Sequence, residues 1–268
     1  MARASGALVL ASIPVLVFLV LPSLVIVPMA LTAGNLLQFP PAGLSLHSFV
    51  DYLSDPAWRA STLLSLRVAL LAVAAGVLAG TGAAIALHGR RFPGRGLLVG
   101  FILAPIVVPS VLLALGDYLL LAPAGLVGAW WTIGLAHAML VTPYVFIAVQ
   151  TSLLVDLDPA LARSARSLGA GMPMVLRHVY WPAVRPGVLA GAVLGFAVSF
   201  DEVVLALFLQ GPSTVTLPVR MFTSIQYELS PKIAAAASVF LGLAALVLVA
   251  QAGLARRQRG RGRYHGAA

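Results

Sequence analysis

The chain is 268 residues long, 60% apolar and 9% charged, with a net charge of +9, no cysteine and a mean hydropathy of +1.01. A soluble domain carries about 25% charged residues, so a chain this apolar has too little polar surface to face water and reads as a multi-spanning membrane protein. The missing cysteines exclude disulfides and thiolate or Cys–zinc chemistry. The arginines gather in short loops and a tail, the pattern of a membrane protein and not of a nucleic-acid binder.

Arg3 precedes an apolar run in which about Ala7 to Leu31 can cross a hydrocarbon core of ~30 Å at ~1.5 Å per residue. The run exceeds the ~7–15 residues of a signal-peptide core. It is taken as span one, with Pro14, Pro22 and Pro28 expected to bend it. Residues 32–60, with Asp51, Asp55, Pro56 and Trp58, read as an outer loop with a short interfacial helix. Span two covers about 61–87 and carries Arg67, while Gly76 and Gly80 allow a neighbouring helix to come close. The basic loop 88–95 leads to span three, about 97–121, with Pro105 and Pro109 inside it and Asp117 near its outer end. A turn at Pro123–Gly125 leads into span four, about 126–149. After a polar interruption, Asp158–Gly187, span five runs from near Gly187 to about Gln210. Its Gly187, Gly191 and Gly195 repeat every four residues and leave one smooth face. Residues 211–232 form an outer loop, and about 233–255 is span six. The expected fold is all-α, with six transmembrane helices.

The basic residues orient this arrangement. Arg3, the loop arginines 90, 91 and 95, the central arginines 163, 166, 177 and 185, and the tail arginines from Arg256 to Arg263 fall on one side. Arg59, Arg220 and Lys232 fall on the other, and Arg67 lies in a span. The excess places both termini in the cytoplasm.

No catalytic constellation is present. There is no P-loop, so the chain does not bind and hydrolyse ATP by that route. The five histidines are scattered without metal-ligand spacing, and no metal or cofactor is expected. His137, inside span four, is placed to hydrogen-bond another helix. The ionisable groups expected within the membrane are Arg67, Asp117, Asp201 and Glu202, and each needs a partner or water. One reading puts Asp201 or Glu202 on a hydrated path for a cationic solute. The other pairs one of them with Arg67. A secondary carrier would usually show paired halves, and no convincing internal repeat is visible.

Between spans four and five, DPALARSARSLGAG reads as a short amphipathic helix with Leu161, Ala165 and Leu168 on one face. Asp158 and Pro159 suit its start, and Gly169 and Gly171 its end. From Gly169, nine residues lead to Val179-Tyr180-Trp181-Pro182. This spacing resembles the "EAA" loop of binding-protein-dependent ABC importer permeases. The Glu-Ala-Ala positions fall on Arg163, Ser164 and Ala165, so the family's acid is replaced by a base. Downstream, SFDEVVLALFLQGPSTVTLPVRMFTSIQYELSP is similar to the polyamine-type subgroup (spermidine/putrescine permeases and relatives for phosphonates or opines). The matching positions are Ser199, Asp201, Glu202, Phe208, Gly211, Thr216-Leu217-Pro218 and Ser230-Pro231.

The resemblance implies a type I ABC importer permease with a core at 60–252 and a coupling loop at 150–187, preceded by span one and its outer loop (1–59) and followed by a basic tail (253–268). It implies four kinds of partner: a second permease subunit, homologous or identical, two cytoplasmic ABC ATPases, an extracytoplasmic solute-binding protein, and the bilayer. The ATPase-coupling residues it implies are Arg163, Ser164, Ala165, Leu168, Gly169 and Ala170. A polyamine is the expected solute. The alternatives are another solute of the same importer class or an ATP-independent carrier.

Overall fold

The computed structural model describes residues 2–243 and 245–246, and among these every regular element is helical, apart from one isolated bridge between Thr32 and Leu44. The chain divides into two units, one of residues 60–222 and one built from the segments on either side of it. Among the described residues, three helices are long and apolar enough to span a membrane, and one bent pair is a fourth candidate. The first expected span falls in α1 (Ala2–Ala30), which runs through all three prolines. The sixth, about 233–255, lies partly outside the described residues; its described part is a helix over Pro231–Leu243.

In the flanking unit, α2 (His47–Ser54) is the short helix expected in the outer loop, and it buries Ser48 and Tyr52. Asp55 starts α3 (Pro56–Leu87): its carboxylate accepts from the N–H groups of Ala57 (2.9 Å) and Trp58 (3.4 Å). Pro56 takes the first helical position, where no N–H is needed. The other carboxylate oxygen of Asp55 is 2.9 Å from the ammonium of Lys232. That hydrogen bond is the main reason the Asp55 carboxyl sits below its ordinary value of 3.8, against the opposing effect of burial. A carboxyl lowered in the folded state stabilises the protein above its unfolded pKa, and the contribution is lost as pH falls through the folded one. The thermal midpoint should therefore fall more steeply on acidification in the wild type than in Lys232→Met, with the difference confined to pH below about 4. Parallel acid limbs in the two proteins would show that the pair contributes nothing.

In the 60–222 unit, the expected third span is two helices. α4 (Arg95–Val107) and α5 (Ser110–Leu121) meet at 105°. Val108 is extended, as the residue before a proline prefers, and Pro109 then starts the next helix without a donor. α6 (Trp130–Asp156) starts and ends later than the expected fourth span.

The largest correction concerns span five. After α7 (Pro159–Ser167), α8 (Met172–Val175), a π-turn (Leu176–Tyr180) and α9 (Trp181–Asp201) form one continuous run over Met172–Asp201. The span thus begins well before Gly187, and the polar interruption shrinks to the segment around α7. Pro182 would be expected to break a helix, since it removes a donor and its ring meets the carbonyl four residues back. Here the turn before it widens: the N–H of Trp181 reaches the carbonyl of Leu176, five residues back. The run also ends before Gln210. Glu202 is extended, and the short α10 (Val204–Leu209) follows. The expected outer loop contains α11 (Leu217–Tyr227), whose first N–H donates to Ser65 Oγ at 2.8 Å.

α6 is the centre of this unit. Added Cβ atoms at Gly187 and Gly191 would lie 2.6 Å from the carbonyl oxygen of Ala148 and 2.7 Å from Val145 Cα, and one at Gly195 would strike Val141 Cγ1. α9 therefore runs against α6 at backbone contact, antiparallel. On α3, added Cβ atoms at Gly76 and Gly80 would lie 2.6 Å from Val141 Cγ1 and 2.8 Å from the Thr142 carbonyl. The two sets of glycines bring two helices onto α6, and Val141, Val145, Val149 and Leu153 fill the seam with no exposed surface.

Candidate functional site

α7 is a nine-residue helix with both ends fixed. The Asp158 carboxylate accepts from the Ala160 N–H at 2.8 Å, and Pro159 occupies the first turn. At the other end the Gly169 N–H reaches the Arg166 carbonyl (2.9 Å) and the Ala170 N–H reaches the Ala165 carbonyl (3.0 Å), a Schellman closure. That closure needs a left-handed residue, and Gly169 supplies it at φ +88°.

The helix is held by small side chains. Ala162 is buried, and Ala165 and Ala170 pack against the same cluster as Val149 and Leu153. Leu161 is 55% exposed and Leu168 89% exposed, and Arg163, Ser164 and Arg166 also face outward. The inward direction is rotated about one position from the face expected, toward Ala162. Ala165 and Leu168, expected on one face, are thereby separated: one holds the helix and the other projects from it. Arg166 reaches the sulfur of Met172 at 3.4 Å. On the body side, His88 at the end of α3 meets the ring of Tyr180 edge-on at 6.4 Å, which ties the π-turn to α3.

The second cluster of interest is the break after α9. Asp201 is exposed at the helix end, whereas the Glu202 carboxylate turns back to accept from the N–H groups of Val204 (2.7 Å) and Leu205 (3.0 Å). Glu202 thus caps α10. Arg67 is exposed on α3, and among the described residues the ion pairs are His47–Asp51 and Lys232–Asp55. Of the two readings of these acids, the pairing with Arg67 is not formed: Glu202 accepts from backbone N–H groups at the break, and Asp201 is exposed and in no ion pair among the described residues. Asp117 in α5 is half-buried, with one carboxylate oxygen out of reach of any partner. His137 reaches across to α9, where its Nδ1 is 3.0 Å from both the carbonyl and the hydroxyl of Ser199.

The π-turn and the Glu202 cap are not announced by the sequence, whereas the His137–Ser199 contact is the hydrogen bond to another helix expected of His137, with its partner now identified. Two signals were present: Pro182 in an otherwise apolar run, and adjacent acids in the middle of an expected span.

Residues 72–260 match the family described as binding-protein-dependent transport system inner membrane component. The chain belongs to that family. It is 32% identical to the putrescine transport system permease protein PotI of Escherichia coli strain K12, over 86% of this chain and 84% of the relative. The spermidine/putrescine permease PotC of the same organism is 30% identical over 72% of each chain. A putative 2-aminoethylphosphonate permease, PhnV of Salmonella typhimurium, is 30% identical over 80% of this chain and 81% of its own. Among solved structures, a bacterial ABC transporter involved in alginate import matches with a TM-score of 0.67 at 15% identity, covering 94% of this chain and 96% of that one. That likeness concerns the fold, which is the all-α fold of ABC importer permeases. The resemblance seen in the loop around Gly169 and in the segment from Ser199 to Pro231 is thus the chain's true family.

Proposed function

We propose that this chain is a permease subunit of an ATP-driven importer whose solute is a small polyamine such as putrescine. The observation that carries the proposal is the 32% identity to the putrescine permease, spread over 86% of this chain. In this reading both termini and α7 face the cytoplasm. A second permease subunit, homologous or identical, completes the pathway, two ATPase chains drive it, and an extracytoplasmic binding protein delivers the solute. With no P-loop of its own, the chain leaves ATP hydrolysis to the ATPase chains. The exposed carboxylate of Asp201 at the break suits a cationic solute.

The likeness to the putative 2-aminoethylphosphonate permease favours a second reading, the same importer class with a different solute. The two separate in one experiment on the complete complex in nanodiscs. Hydrolysis of ATP is expected to rise with binding protein loaded with putrescine and to stay at its basal rate with 2-aminoethylphosphonate. Stimulation by the phosphonate alone would transfer the assignment to the second reading.

α7 is the surface proposed to meet the ATPase, with Leu161 and Leu168 as its anchors and Ala165, Gly169 and Ala170 as the residues that shape and hold it. Arg163 and Ser164 lie on the exposed side. An exposed charge contributes about 0–1 kcal/mol, so Arg163→Glu should leave ATPase co-purification and stimulated hydrolysis within roughly fivefold of wild type. A much larger loss would mean that an acid in the ATPase groove pairs with Arg163.

A further inference from the structure

Gly187, Gly191 and Gly195 meet α6 at Val149, Val145 and Val141. The next step of the same four-residue spacing sets Ser199 against His137. Three rungs are bare backbone; the fourth is polar. It is also closed to solvent, with 1% of His137 and 3% of Ser199 exposed.

His137 Nδ1 lies 3.0 Å from the Ser199 carbonyl and 3.0 Å from its hydroxyl. In one tautomer the Nδ1–H donates to the carbonyl; in the other, Nδ1 accepts from the hydroxyl. Both tie His137 to the same turn of α9. That turn is the last of its helix, where backbone carbonyls have no partner within the helix. Two residues later α9 stops, Glu202 is extended, and its carboxylate starts α10. The break is thus fixed on both sides, by His137 before it and by Glu202 after it. The other ring nitrogen, Nε2, is buried without a partner, which an apolar side chain in the same space would avoid. Only a hydrogen-bonding side chain, however, holds the Ser199 turn.

We propose that His137 is a positioning residue for transport. It fixes the last turn of α9 and thereby the point at which the Asp201 carboxylate leaves the helix. The proposal rests on the transport reading above.

Because the chain has no cysteine, Val203→Cys introduces a single thiol at the break, and Ser213→Cys, in the turn beyond α10, serves as its control. Both are labelled with a membrane-impermeant maleimide in the assembled importer in proteoliposomes, alongside putrescine uptake. His137→Leu is expected to raise labelling at position 203 and to lower uptake, each roughly tenfold, the scale of one lost buried hydrogen bond, while labelling at position 213 stays unchanged. His137→Asn, whose amide reaches the Nδ1 position, should restore both; His137→Gln, which reaches the Nε2 position, should not. If the leucine variant fails to insert, the asparagine–glutamine pair carries the test. Equal behaviour of Asn and Gln, or labelling at 203 that follows labelling at 213, overturns the positioning role. Absence of uptake in the wild type would instead defeat the transport reading and leave the labelling result to stand on its own.

Discussion

Leu168→Asp is expected to uncouple the importer while leaving the permease inserted and folded. Leu168 is 89% exposed, so it contributes nothing to the permease's own core. The helix that carries it is held by Ala162, Ala165 and Ala170 and closed by Asp158 and Gly169, none of which the substitution touches. An apolar side chain so exposed at the end of a fixed helix has the character of an anchor for a partner's pocket. Loss of an interface anchor typically costs at least about 2 kcal/mol, or roughly thirtyfold in affinity. Co-purification of the ATPase and hydrolysis stimulated by the binding protein should both fall by about that factor. Leu161→Asp should act in the same direction. If ATPase recovery is unchanged in the Leu161/Leu168 double variant, α7 does not dock by its leucines.

Gly191→Ala is expected to destabilise the permease itself. Its Cβ would sit 2.7 Å from Val145 Cα, and a backbone atom has no rotamer to move into. α6 and α9 would have to separate along the seam that organises the 60–222 unit, and overpacking of this kind costs about 1–3 kcal/mol. Gly187→Ala should behave alike, since its Cβ would lie 2.6 Å from the Ala148 carbonyl. Gly82→Ala and Gly100→Ala are the controls, because nothing lies within 4 Å of an added Cβ at either position. Both are mid-helix, where alanine is the better helix former by about 1 kcal/mol. The measurement is the thermal midpoint in detergent: lowered for the first two, unchanged or raised for the controls. A midpoint unchanged in Gly191→Ala would mean that the close approach of α9 to α6 is not needed for stability.

Much of this was legible in the residues because it depends on local chemistry. Apolar length announces membrane helices, and Asp158-Pro159 and Gly169 announce the ends of α7 whatever surrounds them. What escaped depends on tertiary context. Pro109 and Pro182 offer the same local signal, yet one sits at a 105° break and the other follows a π-turn inside a continuous run. The acids at 201 and 202 raised the question of an ion pair with Arg67, but no sequence pattern tells a carboxylate that pairs with a side chain from one that caps a helix. The spacing of Leu161, Ala165 and Leu168 announces a single face, and only the packed body decides that the buried direction points toward Ala162, with Ala165 inward and both leucines exposed.

Solute is expected to cross by way of this chain at the expense of ATP. The direct measurement is uptake of labelled putrescine into proteoliposomes that hold the permease subunits and ATPases, with binding protein outside and ATP enclosed. Uptake should require enclosed ATP and the binding protein and should persist when a protonophore collapses the proton gradient. Uptake by the permease alone, driven by a proton or sodium gradient without the ATPase, would make this chain a secondary carrier and not an importer subunit.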